Sequence, residues 1–168
     1  MDVVFDIDGT LANASHRLHH IKDTRFFIPS ALGLRDLKPN WEKFLSPEMV
    51  MKDTAITTVW AVLEAMHIQD HRILFITGRN LTTYSDTYNW LKQMARLNAP
   101  QWYFDAKINL FMRDKDDRSP SEVSKRKSLH RARELDFDPK LVFEDRATDT
   151  AMWRDEGLIC CQVAEGKY

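Results

Sequence analysis

Two aspartates separated by one residue, Asp6 and Asp8, close a short apolar run near the start of the chain, M-D-V-V-F-D-I-D-G-T-L-A. Val3, Val4 and Phe5 are β-branched or aromatic, and a Gly-Thr pair stops them, which predicts a buried strand ending in a tight loop. Strand alternation turns both carboxylates to the same side. Like charges this close are costly unless a cation or a shared proton relieves them. Asp-x-Asp at the carboxyl end of a strand therefore points to a hard metal ion such as Mg²⁺ and to chemistry in the crevice above a parallel sheet. The same Asp-x-Asp-Gly run could open a calcium loop, but that loop needs carboxylates where Thr10 and Arg17 stand.

Three further groups have chemistry at comparable places. Thr77, with Gly78 and Arg79, follows the apolar run in F-I-T-G-R. Lys125 lies in a basic helix, with Lys127 two residues away as the competing candidate. Glu144-Asp145-Arg146-Ala147-Thr148-Asp149 follows L-V-F. Each has a plain explanation: a strand–helix turn, a solvated lysine, acids that complement a helix N-terminus. Taken together, at successive strand ends, they supply a nucleophile, an acid/base, a hydroxyl donor, a cation and metal-binding carboxylates. That is the equipment of phosphoryl transfer, which needs positioning and charge neutralisation around phosphorus.

The elements that must position these groups alternate. Strands are expected at Arg72–Ile76, Ile108–Met112, Lys140–Phe143 and Leu158–Val163. Helices are expected at Ala55–His67, Thr82–Leu97, Ser121–Leu135 and Ala147–Glu156, with Tyr84, Tyr88, Leu91 and Ala95 on one face of the second. This predicts an α/β fold with a parallel sheet covered on both faces. Between Asn13 and Asp53 the pattern is irregular, broken by Pro29, Pro39 and Pro47. It reads as a small insertion with short helices near Leu18 and Trp41.

The length of 168 residues fits a single domain, 1–168, carrying that insertion at about 13–53. Lys plus Arg is 24 against 25 Asp plus Glu, a net charge of -1, which argues against coating long duplex DNA but leaves room for a local basic groove. No apolar run is long enough for a membrane span, and Met1-Asp2 leads straight into a strand rather than a signal peptide. Cys160 and Cys161 are adjacent and lack zinc-ligand spacing, so they read as reduced thiols of a cytoplasmic protein.

D-I-D-G-T, I-T-G-R, a helix-borne lysine and E-D-x-x-x-D resemble the four motifs of the haloacid dehalogenase superfamily of phosphohydrolases. The resemblance covers essentially the whole chain. It implies a three-layer Rossmann-like fold with a parallel central sheet and a small cap insertion after the first strand. More narrowly, the chain resembles the phosphatase domain of phage-type polynucleotide kinase-phosphatases, which remove 3′-phosphates from nucleic-acid ends. The tail M-W-R-D-E-G-L-I-C-C-Q-V-A-E-G is the most specific match.

The resemblance implies roles. Asp6 is the nucleophile that forms an aspartyl-phosphate, and Asp8 is the acid and then the base. Mg²⁺ is held by Asp6, the Asp8 backbone carbonyl and Asp145, with Glu144 and Asp149 around that shell. Thr77 and Gly78 meet the phosphoryl group, Lys125 compensates charge, and Arg17, Arg79, Arg113 and Arg146 bind substrate. Arg17, His19 and His20 would roof the pocket, while Trp41 and Phe44 would stack a base or fill the cap core. Glu144 departs from the family's Asp-Asp-Arg. No G-x-x-x-x-G-K-[ST] occurs, so no kinase domain is expected in this chain. The implied substrate is a phosphorylated nucleic-acid end, processed in the cytoplasm of the cell, or of the host cell if the protein is phage-encoded. A free (deoxy)nucleotide or another small phosphoester is the alternative, and a non-catalytic binding module the remote one.

Overall fold

In the computed structural model, residues 1–21, 39–105 and 107–166 are described. The part of the expected insertion at 22–38, Pro29 included, lies outside the described residues. Val3, Val4 and Phe5 build β1 (Asp2–Phe5), every residue of which is buried. The chain then forms β2 (Ala12–Asn13), a 3₁₀ turn at Ser15–His20, α1 (Trp41–Phe44), α2 (Pro47–Val50) and β3 (Thr54–Ala55). It continues through α3 (Thr57–Ile68), β4 (Arg72–Asn80), α4 (Tyr84–Asn98), α5 (Pro100–Asp105) and β5 (Asn109–Arg113). Then come α6 (Ser121–Glu134), β6 (Pro139–Glu144), α7 (Ala147–Asp155) and β7 (Ile159–Gln162).

Five strands pair in the order β5-β4-β1-β6-β7, all parallel. Parallel strands need crossovers, and the helices that supply them cover both faces. Alternation along β1 sends Val3 and Phe5 to one side, against Trp60 and Leu63 of α3, Trp90 and Leu91 of α4, and Trp102 of α5. It sends Val4 to the other, against Leu129 and Ala132 of α6 and Met152 and Trp153 of α7. The result is three layers with two apolar cores. The chain builds outward from β1 to β4 and β5, then crosses back to β6 and β7. The strand order therefore reverses between β1 and β6, where a crevice opens above the carboxyl ends of the strands. Gly9, at φ 91°, makes the tight turn beneath that crevice possible.

The insertion is closed by a two-stranded antiparallel ladder, Ala12 opposite Ala55 and Asn13 opposite Thr54. Leu11 O receives Ile56 N at 2.9 Å and the Trp60 indole at 3.1 Å, which anchors the ladder to α3. No helix among the described residues is long and apolar enough to cross a membrane.

Three sequence expectations change. β4 does not turn at Thr77: it stays paired with β5 as far as Asn80, with a register shift between Thr77 and Asn80. A six-residue helix, α5, fills the stretch after α4. The buried face of α4 is Thr87, Trp90, Leu91 and Ala95, while Tyr84 is 40% exposed. Trp90 displaces the tyrosines because its indole N–H reaches the Asp53 carbonyl at 2.9 Å, satisfying the one polar group that a buried Trp carries.

Candidate active site

The ends of β1 and β6 face each other across the crevice and deliver four carboxylates. Asp6 follows β1, Glu144 ends β6, Asp145 follows it, and Asp149 lies in the first turn of α7. Each is 3% exposed or less. Lys125, from α6, enters from below: its Nζ lies 2.8 Å from Asp6 Oδ1, 2.7 Å from Glu144 Oε2 and 2.8 Å from Asp149 Oδ2. Lys127 points away, 55% exposed, and pairs with Asp117. Of the two lysines, only Lys125 belongs to the cluster.

Burial first, and then the Glu144 charge, push the Asp6 carboxyl well above its ordinary range, against the pull of Lys125. The same two causes raise Asp145 to about 7. Burial works against the charge on Lys125, yet the carboxylates hold its proton far more tightly than usual. Three of the four carboxylates thus pair directly with one ammonium group, and Asp145 stands beside them. Ligand oxygens of Asp6, Glu144 and Asp145 all lie within 4.8 Å of one another. Asp149 Oδ1 is buried without a hydrogen-bond partner among the described residues. An all-oxygen donor set with surplus negative charge fits a hard divalent cation. Within it, Glu144 is already engaged: Oε2 also accepts the Trp153 indole at 3.1 Å, and Oε1 accepts the backbone N–H of Asp145 at 3.2 Å. Asp6 and Asp145 are the ligands this geometry favours, with Glu144 fixing both the lysine and the loop.

Asp8 turns to a different set of partners. Arg17 Nη2 lies 2.5 Å from its Oδ1, and Arg79 reaches both oxygens, Nη2 to Oδ1 at 2.6 Å and Nε to Oδ2 at 2.9 Å. Behind the two guanidinium groups is Asp53, which accepts from Arg17 Nε at 2.8 Å, Arg17 Nη2 at 2.7 Å and Arg79 Nη2 at 2.8 Å. His16 Nε2 contacts Asp53 Oδ1 at 2.9 Å. Arg17 also donates to the Phe44 carbonyl at 2.9 Å and lies 4.1 Å above the Phe44 ring. Arg79 lies 5.7 Å from the centre of the Trp90 ring. Both arginines are essentially inaccessible. Burial opposes the Asp8 charge, but Arg79 and then Arg17 outweigh it and hold the carboxyl well below its ordinary range.

This corrects the expected layout. Arg17 and Arg79 do not stand at the mouth with Arg113 and Arg146, and Arg17 does not form a roof with His19 and His20. The two buried arginines make a fixed frame behind Asp8. Phe44 is taken by Arg17, so it is cap core, while Trp41 is 50% exposed and packs edge-on against it. His19 and His20 lie ring against ring, with centroids 3.9 Å apart. Asp53 is the residue that sequence reasoning missed. A lone acid between Lys52 and Thr54 carries no spacing signal, and its partners are 36 and 26 residues away.

On the other wall, Thr77 is buried and its hydroxyl accepts the Arg79 N–H at 3.2 Å. Arg113, half-buried, donates from Nε to the Gly78 carbonyl at 3.1 Å and from Nη1 to the Ser119 carbonyl at 2.5 Å. Ser121 donates to Asp149 Oδ2 at 2.8 Å. Arg146, half-buried, stands at the start of α7. The tail closes over this corner: Gly166 N–H donates to the Asp145 carbonyl at 3.0 Å, and a Cβ on Gly166 would meet Arg146 Cα at 2.9 Å.

A five-stranded parallel sheet with an Asp-x-Asp motif after its central strand and a lysine clamped between that strand and its neighbour is the arrangement of a haloacid dehalogenase-type domain. Solved structures share the fold. A haloacid dehalogenase-like hydrolase from Streptococcus pneumoniae aligns with TM-score 0.57 at 14% identity, over 95% of this chain and 82% of that one. A chain in the structure of the Pnkp1/Rnl/Hen1 RNA repair complex aligns with TM-score 0.67 at 21% identity, over 99% of this chain and 43% of that one. The family is narrower than the fold. The model for the polynucleotide kinase PNKP phosphatase domain matches residues 42–168, and the chain belongs to that family. A putative bifunctional polynucleotide kinase/RNA ligase of Autographa californica nuclear polyhedrosis virus is 24% identical over 154 residues. The match takes in 91% of this chain and 18% of the viral protein, so the chain spans about a fifth of that relative.

Proposed function

We propose that the protein removes the phosphate from the 3′ end of a nucleic acid, with Asp6 as nucleophile and Asp8 as acid and base. The observation that carries the chemistry is the division of labour between two neighbouring carboxylates. Asp6 faces Lys125 and the acid cluster, and Asp8 faces the arginine frame. One group is set to receive a phosphoryl group beside cations, and the other to handle a proton at a fixed position.

The cofactor in this reading is Mg²⁺, which Asp6, Asp145 and the Asp8 backbone carbonyl would hold and which would neutralise non-bridging phosphoryl oxygens. Asp6 attacks phosphorus and becomes the aspartyl-phosphate. Thr77 donates its hydroxyl to a phosphoryl oxygen, beside Gly78. Lys125 balances the charge on Asp6, Asp149 orients the lysine, and Glu144 locks it. The arginine frame keeps resting Asp8 ionised. The arriving phosphate dianion opposes that field, so Asp8 takes up a proton from solvent and passes it to the leaving alkoxide. Asp8 is then a carboxylate again, the form that takes a proton from the hydrolytic water.

The nucleic-acid end as substrate rests on the family match over residues 42–168, with Arg113 and Arg146 as cations for a neighbouring phosphate. The withdrawal of Arg17 and Arg79 from the mouth leaves fewer cations there, which favours small phosphoesters as the second reading. A panel of 3′-phosphorylated DNA and RNA, 5′-phosphorylated ends, mononucleotides and para-nitrophenyl phosphate decides. The 3′-phosphorylated oligonucleotide should have the highest kcat/KM, and Arg113→Ala should lower it while sparing para-nitrophenyl phosphate. Added salt should weaken the oligonucleotide reaction more, because phosphate contacts release counterions. Mononucleotides hydrolysed faster than every oligonucleotide, with equal salt response, would replace this reading with a nucleotidase.

A further inference from the structure

The tyrosines that α4 leaves out of the core have no role in the site. Tyr84 and Tyr88, one turn apart, stack on each other with ring centroids 6.1 Å apart and planes at 22°. One turn further, Lys92 Nζ lies 5.9 Å from the centre of the Tyr88 ring. Beside them runs an open groove of about 350 Å³, lined by Tyr88, Lys92, Trp102, Tyr103, Phe104 and Ile108. Phe104, edge-on to Tyr103 with centroids 5.2 Å apart, is 80% exposed and extends the aromatic surface into water.

This face is continuous with the candidate site. Only the turn Leu81–Thr83 separates Tyr84 from the end of β4, and Arg79 Nη1 reaches the Thr87 hydroxyl of the same helix at 3.4 Å. From Tyr84 to Lys92 the helix rises about 12 Å, the span of roughly four stacked nucleotides. The exposed cations along the face are Lys92 and Arg96 of α4 and Lys107 beside the groove, against one half-buried acid on the helix, Asp86. Aromatic faces interleaved with cations are what an unpaired strand requires, since every base offers a ring to stack on and every linkage a negative charge. Protein interfaces also use aromatic anchors, so it is the exposed cations Lys92, Arg96 and Lys107 beside the rings that favour a polyanion here.

We propose that α4 and α5 form a track for single-stranded nucleic acid whose 3′-phosphate end lies in the candidate site. Bases stack on Tyr84, Tyr88 and Phe104, and phosphates pair with Lys92 and Arg96. The track rests on the nucleic-acid-end reading above and gives that substrate its single-stranded form.

The test is kcat/KM for 3′-phosphorylated single strands of two, four and eight nucleotides, with para-nitrophenyl phosphate as the small ester. The proteins are wild type, Tyr84→Ala/Tyr88→Ala, Tyr88→Phe, Phe104→Ala and Lys92→Ala. Wild-type kcat/KM should rise with length up to the four-nucleotide strand and then level off. The double variant should lose about 10–100-fold on the eight-nucleotide strand, mostly through KM, with para-nitrophenyl phosphate unchanged. Tyr88→Phe should behave as wild type, because the ring and not the hydroxyl stacks. If wild type prefers the long strand but every variant handles it like wild type, the track is overturned while the 3′-end reading stands, and the face is left to a protein neighbour. If wild type shows no preference for oligonucleotides over the small ester, the parent reading falls and the track with it. Should the double variant lose the small-ester reaction as well, Phe104→Ala and Lys92→Ala decide alone, and wild-type kinetics on the eight-nucleotide strand from both overturn the track.

Discussion

Replacing Asp53 with asparagine keeps the side chain's shape and removes one charge from between two buried guanidinium groups. In the native arrangement the Asp53 carboxylate is completely buried and accepts three arginine N–H groups at 2.7–2.8 Å. After the change, Arg17 and Arg79 share Asp8 alone, and an amide N–H₂ is forced towards donors. Removing one partner of a buried ion pair typically costs about 3–5 kcal/mol, because the remaining charge stays out of water. For a domain of this size each kcal/mol shifts the melting temperature by about 2–4 °C, so Asp53→Asn should melt roughly 6–20 °C lower. Denaturant titration should show a lower midpoint with an unchanged slope. Turnover should also fall about 100-fold at a temperature where the variant is still folded, since Asp8 is positioned by those same arginines. As a control, Lys140→Ala breaks the exposed pair with Asp138, whose side chains are 60% and 73% accessible, and should leave the melting temperature unchanged. An Asp53→Asn protein within 0.5 kcal/mol of wild type would refute the frame as a source of stability.

Lys125→Ala should lower kcat by about 10²–10³-fold, the usual cost of one preorganised charge partner, whereas Lys127→Ala, on the exposed lysine, should leave kcat alone; the reverse order would place the wrong lysine in the site. EDTA should abolish turnover and Mg²⁺ should restore it, with Ca²⁺ a poor substitute because it prefers longer bonds and more ligands; undiminished activity in excess chelator rules out a metal-assisted reaction. At pH 8 iodoacetamide should alkylate exposed Cys161 and spare Cys160. Burial pushes the Cys160 thiol up to about 11, so the reactive thiolate forms only far above that pH. Peptide mass spectra with Cys160 modified first would contradict its burial.

The placement of the strand-end residues was legible because it is local. Asp6, Asp8, Thr77 and Asp145 each follow a short apolar run, and a parallel sheet carries all such ends to one side. What the sequence concealed is made by distant partners. The face of α4 was misread because Thr87 is polar yet buried beside Arg79, and because Trp90 finds its acceptor on Asp53. β4 was expected to turn from Thr77, but its pairing with β5 resumes at Asn80 opposite Arg113. The ladder of β2 and β3 is two residues per strand, too short for any periodicity to register. Arg17, Arg79, Arg113 and Arg146 were grouped by family resemblance, which does not separate a buried clamp from a cation at the rim. Only the positions of Asp8 and Asp53 make that separation.

The antiparallel ladder at Ala12–Asn13 and Thr54–Ala55 brings the two ends of the insertion together within one pair of cross-strand contacts. Whatever lies between enters and leaves through that doorway, and the catalytic loop before it and α3 after it are held by bonds to Leu11 that do not depend on the insertion's length. Doubling a loop whose ends are already joined costs only about 0.6 kcal/mol. The insertion is therefore a replaceable cassette. Its length can change at little cost, provided that Arg17 and Asp53 near its ends, and Phe44, which holds Arg17, stay in place.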